Sequence, residues 1–533
     1  MLLEAKAEVD IANKDGNTAL IASGYWGHSE YLRILVGAKA NINAKNEKGD
    51  NALIEAATQG ETQCVQLLLE GKADIDLANQ RGNTALIRAV SENHTACLQL
   101  LLDANADVNA TNVQGDTTPL VAACYDHIES LYMLLDAKAI IDIKNKNGHN
   151  ALMMAVGQDS AACAQLLLEA KANVNDMTKD GDTISTMAAS YGRTECLRLL
   201  LEAKADIRAT NKNGDNALIR AASQGYAACL QLLLDAKADI DAKNKDGRTA
   251  LLVSLEKGRI ACLQPLLNAK ADIGATDNDG NTAVTTAILR GHTTCLPILL
   301  AAKANIEAMD ENGHTALTLA AALGQSTCLH TLLRAKAEID AENKVGNTAL
   351  IRAAACGYTA CLQVLLDAKA NVDAKDKDGD TALLLAAENG HISCLEHLLD
   401  ANADVNAADT SGDTALIAAA DNGHTACLQL LLHAKADFNA KGYYGSTALM
   451  GAARTGNSAC LLALLDAKAD IEAANDKGLT ALIYAALNGH TECAQLLLDV
   501  KANPDVTLEN GKTALSTAKE KGLEGMFNIL EKA

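Results

Sequence analysis

Aromatic residues are nearly missing from this chain. Two Phe, one Trp and ten Tyr make up 2% of 533 residues. A core here has to be built from Leu, Ala, Ile and Val. Long apolar runs are missing too: none approaches the ~20 residues that a membrane-crossing helix needs. The opening MLLEAKAEVD is too short and too charged for a signal peptide. Positive charge is in deficit, with 46 Lys and Arg against 67 Asp and Glu and a net charge of −21. Such a chain does not favour phosphate backbones, which argues against nucleic acid as a general partner. No P-loop, GxSxG, HExxH or CxxC pair occurs, so neither a metal nor a cofactor is called for and the chain reads as non-enzymatic. Taken as complete, it reads as cytoplasmic or nuclear.

What the chain has is a period. HTACLQLLL occupies residues 94–102 and returns at 424–432, which is 330 residues later, or ten times 33. Glycine follows the same step from Gly16, Gly49 and Gly82 through Gly445, Gly478 and Gly511, sixteen glycines without drift over fifteen periods. That excludes a 34-residue repeat and a string of unrelated globular domains. Residues 409–441 show one unit, DTSGDTALIAAADNGHTACLQLLLHAKADFNAK. TALIAAA has helical spacing, Gly423 punctuates, and CLQLLLHA is a second helical run with Cys427, Leu428, Leu431 and Leu432 on one face. Asp437 to Gly445 reads as a turn or hairpin. Neither helix can bury its apolar face alone, and stacking on neighbours solves that. The fold class is an all-α repeat solenoid.

The 33-residue step, the D-x-x-G-x-T-x-L opening, the G-H hinge and the LLL-x-A-x-A-D close resemble the ankyrin repeat over nearly the whole chain. The resemblance implies helix-turn-helix units with projecting hairpins, about 16 of them, and a concave face of hairpins and first helices. Residues 1–12 then form a partial repeat, 13–507 fifteen repeats, and 508–533 a C-terminal capping repeat. Two departures stand out. The family's T-P-L-H becomes T-A-L-I, as at Thr348, Ala349, Leu350 and Ile351, so its inter-repeat His bond is in doubt and apolar contact is expected instead. The Gly that closes the second helix is Lys at thirteen of fifteen positions (Lys39, Lys435) and Asn at two (Asn105, Asn402). A left-handed backbone there implies modest strain, or else a different cap.

Thirteen of fifteen cysteines fall fifteen residues after the marker glycine, from Cys64 to Cys493. Stacked helices lie about 8–10 Å apart, whereas a disulfide needs Cα atoms about 4.4–6.8 Å apart. The ladder therefore reads as packing, with free Cys acting as a small hydrophobe. Cys124 and Cys356 fall outside it and are the better candidates for exposed thiols. Seven histidines (His28, His94, His127, His292, His391, His424, His490) share one position at the start of the second helix and read as structural. The recurring Asp residues read as solvated turn formers.

The ends differ. MLLEAKAEVD aligns with the close of a unit, placing Met1 inside a second helix, and the chain is expected to be a fragment or to have a late start. The other end reads as a cap, with Met526 for Cys, Glu531 for Leu, and the polar run Lys519, Glu520, Lys521. GDTTPLVAACYDH (115–127) reads as one residue longer before the helix and one shorter before His127. GDTISTMAAS carries Ser185 for Leu. Opening is expected to start at these two units, because long arrays need not unfold in one step.

In an array, what recurs supports the stack, and what occurs once is where function lies. Tyr443 and Tyr444 occupy a hairpin tip, Tyr484 the first helix of the next unit, and Arg454 the helix between. Family geometry implies that all four face one side, and Tyr and Arg commonly anchor protein interfaces. Tyr25 and Trp26 form a second candidate pair. Arg88, Arg220 and Arg352 recur every 132 residues, which reads as duplication in blocks of four. The functional reading is a monomeric, non-catalytic protein-binding scaffold whose partner carries basic patches. The alternative is the regulatory repeat region of a larger enzyme or channel, and a third reading is a mechanical spacer.

Overall fold

The structure is a computed structural model that describes residues 8–508 and 511–533. It divides into two compact units, residues 1–272 and 273–533. Each holds eight helix pairs among the described residues. A typical pair is Ala415–Asn422 followed by Thr425–His433. No strand forms among the described residues. The connecting fingers make only isolated bridges, such as Ala408 to Thr414. The partial repeat expected at residues 1–12 lies largely outside the described residues.

The sequence starts and stops each helix locally. Thr or Asn two residues after the marker glycine caps every described first helix, its side-chain oxygen accepting the N–H three residues on. The marker glycine serves the next finger as well. Gly346 has φ 84°, and a Cβ there would lie 2.8 Å from the amide nitrogen of Lys377.

The second helix ends on a Schellman-type cap. Lys435 takes φ 65°, its N–H reaches Leu432 O at 3.0 Å, and Ala436 N–H reaches Leu431 O at 3.0 Å. All thirteen lysines and both asparagines at this position have positive φ, so the left-handed cap is kept without glycine. A non-Gly residue in that region costs about 1–2 kcal/mol. Each buried Leu or Ile contributes about 1.5–3 kcal/mol, and one repeat buries Leu350, Ile351, Leu362 and Leu365 fully. Packing outweighs the cap strain in every unit.

Two expectations change against the structure, that of an extra residue at 115–127 and that of apolar contact alone in place of the inter-repeat polar bond. Residues 115–127 carry no extra residue. Thr117 caps its helix just as Thr84 does, with its oxygen accepting from Leu120 N. Thr118 replaces the usual Ala, buried with its hydroxyl donating to Val108 O at 2.6 Å. Pro119 replaces the Leu in the first turn, where no intrahelical N–H bond is lost. Ser185 is buried without interrupting the helix Ile184–Tyr191. The Ile of T-A-L-I is buried as expected (Ile351, Ile417), yet polar bridging between repeats persists through other residues. At the far end Met526 and Leu530 are buried.

Candidate partner-binding surface

Three polar ladders position the fingers. One is main chain: Lys377 N–H donates to Val345 O at 3.1 Å and Asp476 N–H to Tyr444 O at 2.9 Å. The second uses the Asp and Asn of the A-D-x-D close. Asp404 N–H donates to the Asp373 carboxylate and Asp437 N–H to Asn406 Oδ1, both at 2.8 Å. The third, present where the residue three before the marker glycine is Asn, as at 79, 145 and 211, joins it to the residue just after the previous marker glycine. Asn79 donates to Asp50 at 2.7 Å, Asn145 to Asp116 at 2.8 Å, and Asn211 to Asp182 at 2.9 Å. The Asn oxygen meanwhile accepts from its own turn, as Asn79 Oδ1 does from Arg81 and Asn83 N–H.

In many repeats the residue opening the second helix bridges backward. His391 Nε2 donates to Ala355 O at 3.2 Å and His490 Nε2 to Arg454 O at 3.1 Å. Where His is absent, Arg193, Arg259, Gln325 and Asn457 make the equivalent bond to Gly157, Ser223, Ile288 and Ala420 carbonyls. These donors reach carbonyls near the end of the first helix of the previous repeat, where intrahelical partners run out. The His391 ring also lies against Gly357, whose φ is 73°; a Cβ there would sit 2.6 Å from Nδ1.

The thirteen ladder cysteines are free and buried. Burial pushes the thiols of Cys328, Cys361 and Cys493 up to about 11, so none is a nucleophile at neutral pH. Cys124 and Cys356 are half-buried. Of the spaced arginines, Arg88 bonds Thr58 at 3.1 Å and pairs with Glu92. Arg220 bonds Ser190 at 2.8 Å. Arg352 Nε is buried without a partner.

The candidate residues of the 273–533 unit come together. Tyr443, Tyr444, Arg454 and Tyr484 all line one pocket of about 360 Å³. Gly442 stands where most fingers carry Asn or Asp, so the Asp413 carboxylate takes the Tyr443 N–H instead, at 3.0 Å. That bond starts a 3-10 turn, Tyr443–Gly445, with Tyr444 at φ 53°. Both tyrosines are about half exposed, their ring centroids 4.2 Å apart. Tyr484 rises from the helix Ala481–Asn488, and its hydroxyl accepts from Asn475 at 3.0 Å. Arg454 pairs with Asp421 at 2.9 Å.

Sequence reading missed Asp413, Asp421, Lys477 and Gly451 in this pocket. The available signal was a missing side chain. Gly451 stands where Arg352 and Tyr484 stand in their own repeats, and a Cβ on it would collide with Asp421 Oδ1.

Tyr25 and Trp26 lie in the other unit. Their rings meet edge to face at 4.9 Å, and Trp26 is 68% exposed. They line a pocket of about 470 Å³ with Asn46, Lys48 and Glu55. A further depression of about 420 Å³, not anticipated from sequence, is lined by Val113, Cys124, Tyr125 and Arg88.

Comparison with known families agrees with this architecture. A model for ankyrin repeats (three copies) matches residues 38–112, 119–211, 186–277, 261–343, 319–409, 402–475 and 449–532. A model for the single ankyrin repeat matches residues 15–47. No curated protein matches the chain.

Proposed function

The chain belongs to the ankyrin-repeat family, and from that premise we propose that it is a non-catalytic scaffold that holds a partner protein on the face made of fingers and first helices. Repeats of this family are in general protein-interaction modules. The observation that carries the reading is the convergence of Tyr443, Tyr444, Arg454 and Tyr484 on one pocket. The recurring His, Asn and Asp residues are already engaged in holding repeats together, and the recurring Cys is buried. These four side chains depart from the repeat pattern. Tyr and Arg supply large contact area and directional bonding at interface centres. A preorganised stack presents them with little ordering entropy to lose on binding. Tyr25 and Trp26 form a second, independent contact patch in this reading.

The test is affinity capture from native lysate with two baits, the intact chain and a Tyr443→Ser, Tyr444→Ser, Tyr484→Ser variant. A protein retained saturably by the first and lost from the second is the expected result. Equal retention moves the site elsewhere on the stack. No saturable partner with either bait leaves a mechanical spacer and refutes the scaffold.

A further inference from the structure

The chemistry of the Tyr443 pocket narrows what it accepts. Its floor is Met450 and Gly451, and the absent side chain at 451 leaves Asp421 Oδ1 lying over the glycine. That oxygen is buried and has no hydrogen-bond partner. The other Asp421 oxygen holds only Arg454, whose side chain is about half exposed. Asp413 forms the finger-side wall. Burial pushes both carboxyls above the ordinary carboxylate range, Arg454 opposing this at Asp421 and the Tyr443 N–H opposing it at Asp413.

Two aromatic faces flank these carboxylates. The Lys477 ammonium already sits 4.7 Å from the Tyr444 ring centroid, so that ring works as a cation receiver in this setting. The pocket's own cations are both engaged, Arg454 by Asp421 and Lys477 by Tyr444. The adjoining fingers add further uncompensated negative charge. Burial, then Asp376, then Asp409 push the Asp380 carboxyl up to about 6.

We propose that this pocket accepts a Lys or Arg side chain from an extended basic segment of the partner, and that Asp380, Asp409 and Asp413 receive the cationic residues beside it. The inference rests on the reading of this face as a protein-binding surface. The entering cation sits between the tyrosine rings and Asp421. It shares Asp421 with Arg454, whose own side chain is about half exposed. The net charge of −21 steers a basic segment toward the stack from a distance.

The test is fluorescence anisotropy with the full chain and three dye-labelled peptides, which alternate Arg with Ser, citrulline with Ser, and Glu with Ser. Citrulline keeps the shape of Arg and removes its charge. The Arg peptide is expected to bind, with the citrulline peptide about tenfold weaker or more, as for neutralising one member of an interfacial charge pair. Asp421→Asn and Tyr444→Asn should each weaken the Arg peptide about tenfold; Asn keeps the left-handed turn at 444. Asp103→Asn, an equal charge change on the exposed end of another helix, should leave binding within about twofold. Circular dichroism of each variant confirms that the stack is folded.

Equal binding of Arg and citrulline peptides overturns the proposal. So does preference for the Glu peptide, which would make Arg454 the anchor, or an Asp421→Asn effect no larger than that of Asp103→Asn. If a lysate protein is still captured through the tyrosines while the Arg peptide fails, the scaffold stands and only this inference falls.

Discussion

Asp409→Asn is expected to stabilise the 273–533 unit, and the amount should depend on pH. At four positions of the other unit (79, 145, 211 and 244) this residue is an Asn whose amide donates to an Asp of the previous repeat, at 2.7 Å for Asn79 to Asp50 and 2.9 Å for Asn244 to Asp215. Asp409 is a carboxylate facing that same place in its neighbour, Asp380, so like charge meets like charge. Burial, Asp376 and Asp409 together raise the Asp380 carboxyl from 3.8 to about 6. A difference of about two pKa units corresponds to about 3 kcal/mol at most. Asp380 is only half-buried, so solvent screening reduces this to about 1–2 kcal/mol, and Asp409, third among the causes after burial and Asp376, accounts for only part of it.

The sign follows from the direction of that shift. With its folded pKa raised, Asp380 contributes stability that is fully present below pH 3.8 and is lost as pH rises through about 6. The intact chain therefore carries the full penalty at pH 7.5. The Asp409→Asn change removes one charge and restores a donor to the Asp380 carboxylate. The new amide oxygen can still accept the Ser411 and Asp413 N–H groups that Asp409 holds at 2.8 Å. Below pH 4 the protonated Asp380 is itself a donor, and the advantage of the substitution should fade. Native-state hydrogen exchange in the helices Ala382–Glu388 and Ala415–Asn422, corrected for intrinsic rates, reads the effect locally. Protection should rise about threefold to tenfold at pH 7.5, part from the removed charge and part from the regained hydrogen bond, and much less at pH 4. No gain at pH 7.5, or an equal gain at both values, would refute the carboxylate clash as its cause.

Other outcomes follow from the same structure. Gly357→Ala should cost about 2 kcal/mol: about 1–2 for the left-handed backbone, less about 0.4–1 from the unfolded chain, plus about 1 for the displaced His391 bond. In a His391→Ala background the cost should fall by about 1 kcal/mol, and a double-mutant cycle by denaturant melting with no coupling would contradict the ring contact. Lys435→Gly should stabilise its repeat by about 0.5–1 kcal/mol by relieving positive φ; an unchanged melting midpoint would mean that the Lys cap carries no strain. With an alkylating reagent at neutral pH, Cys356 and Cys124 should label first. The ladder cysteines, with thiols near 11 at Cys328 and Cys493, should label only on unfolding. Mass spectrometry that found Cys328 labelled early would overturn the packing assignment.

Much of this protein was determined by the sequence alone. The 33-residue step set the unit and the Thr or Asn cap set each first helix, while the Lys or Asn three residues after LLL left open a left-handed close or a different cap, and the backbone takes the former. These features rest on bonds spanning three to six residues, so a single chain segment contains both partners. One ambiguity within that range still misled: the doubled Thr at 117 and 118 looked like an insertion until its hydrogen bonds identified the cap. The candidate contact residues Tyr443, Tyr444, Arg454 and Tyr484 were legible as departures from the repeat, and their convergence was expected from family geometry. Tertiary structure alone decided what stands between them. Gly442 and Gly451 remove side chains, and the Asp413 and Asp421 carboxylates of the preceding repeat move into the space. The backward bond of His391 and the clash of Asp380 with Asp409 are likewise meetings across repeats. Such pairs lie about one period apart in the chain, and only the register of stacking brings them within reach.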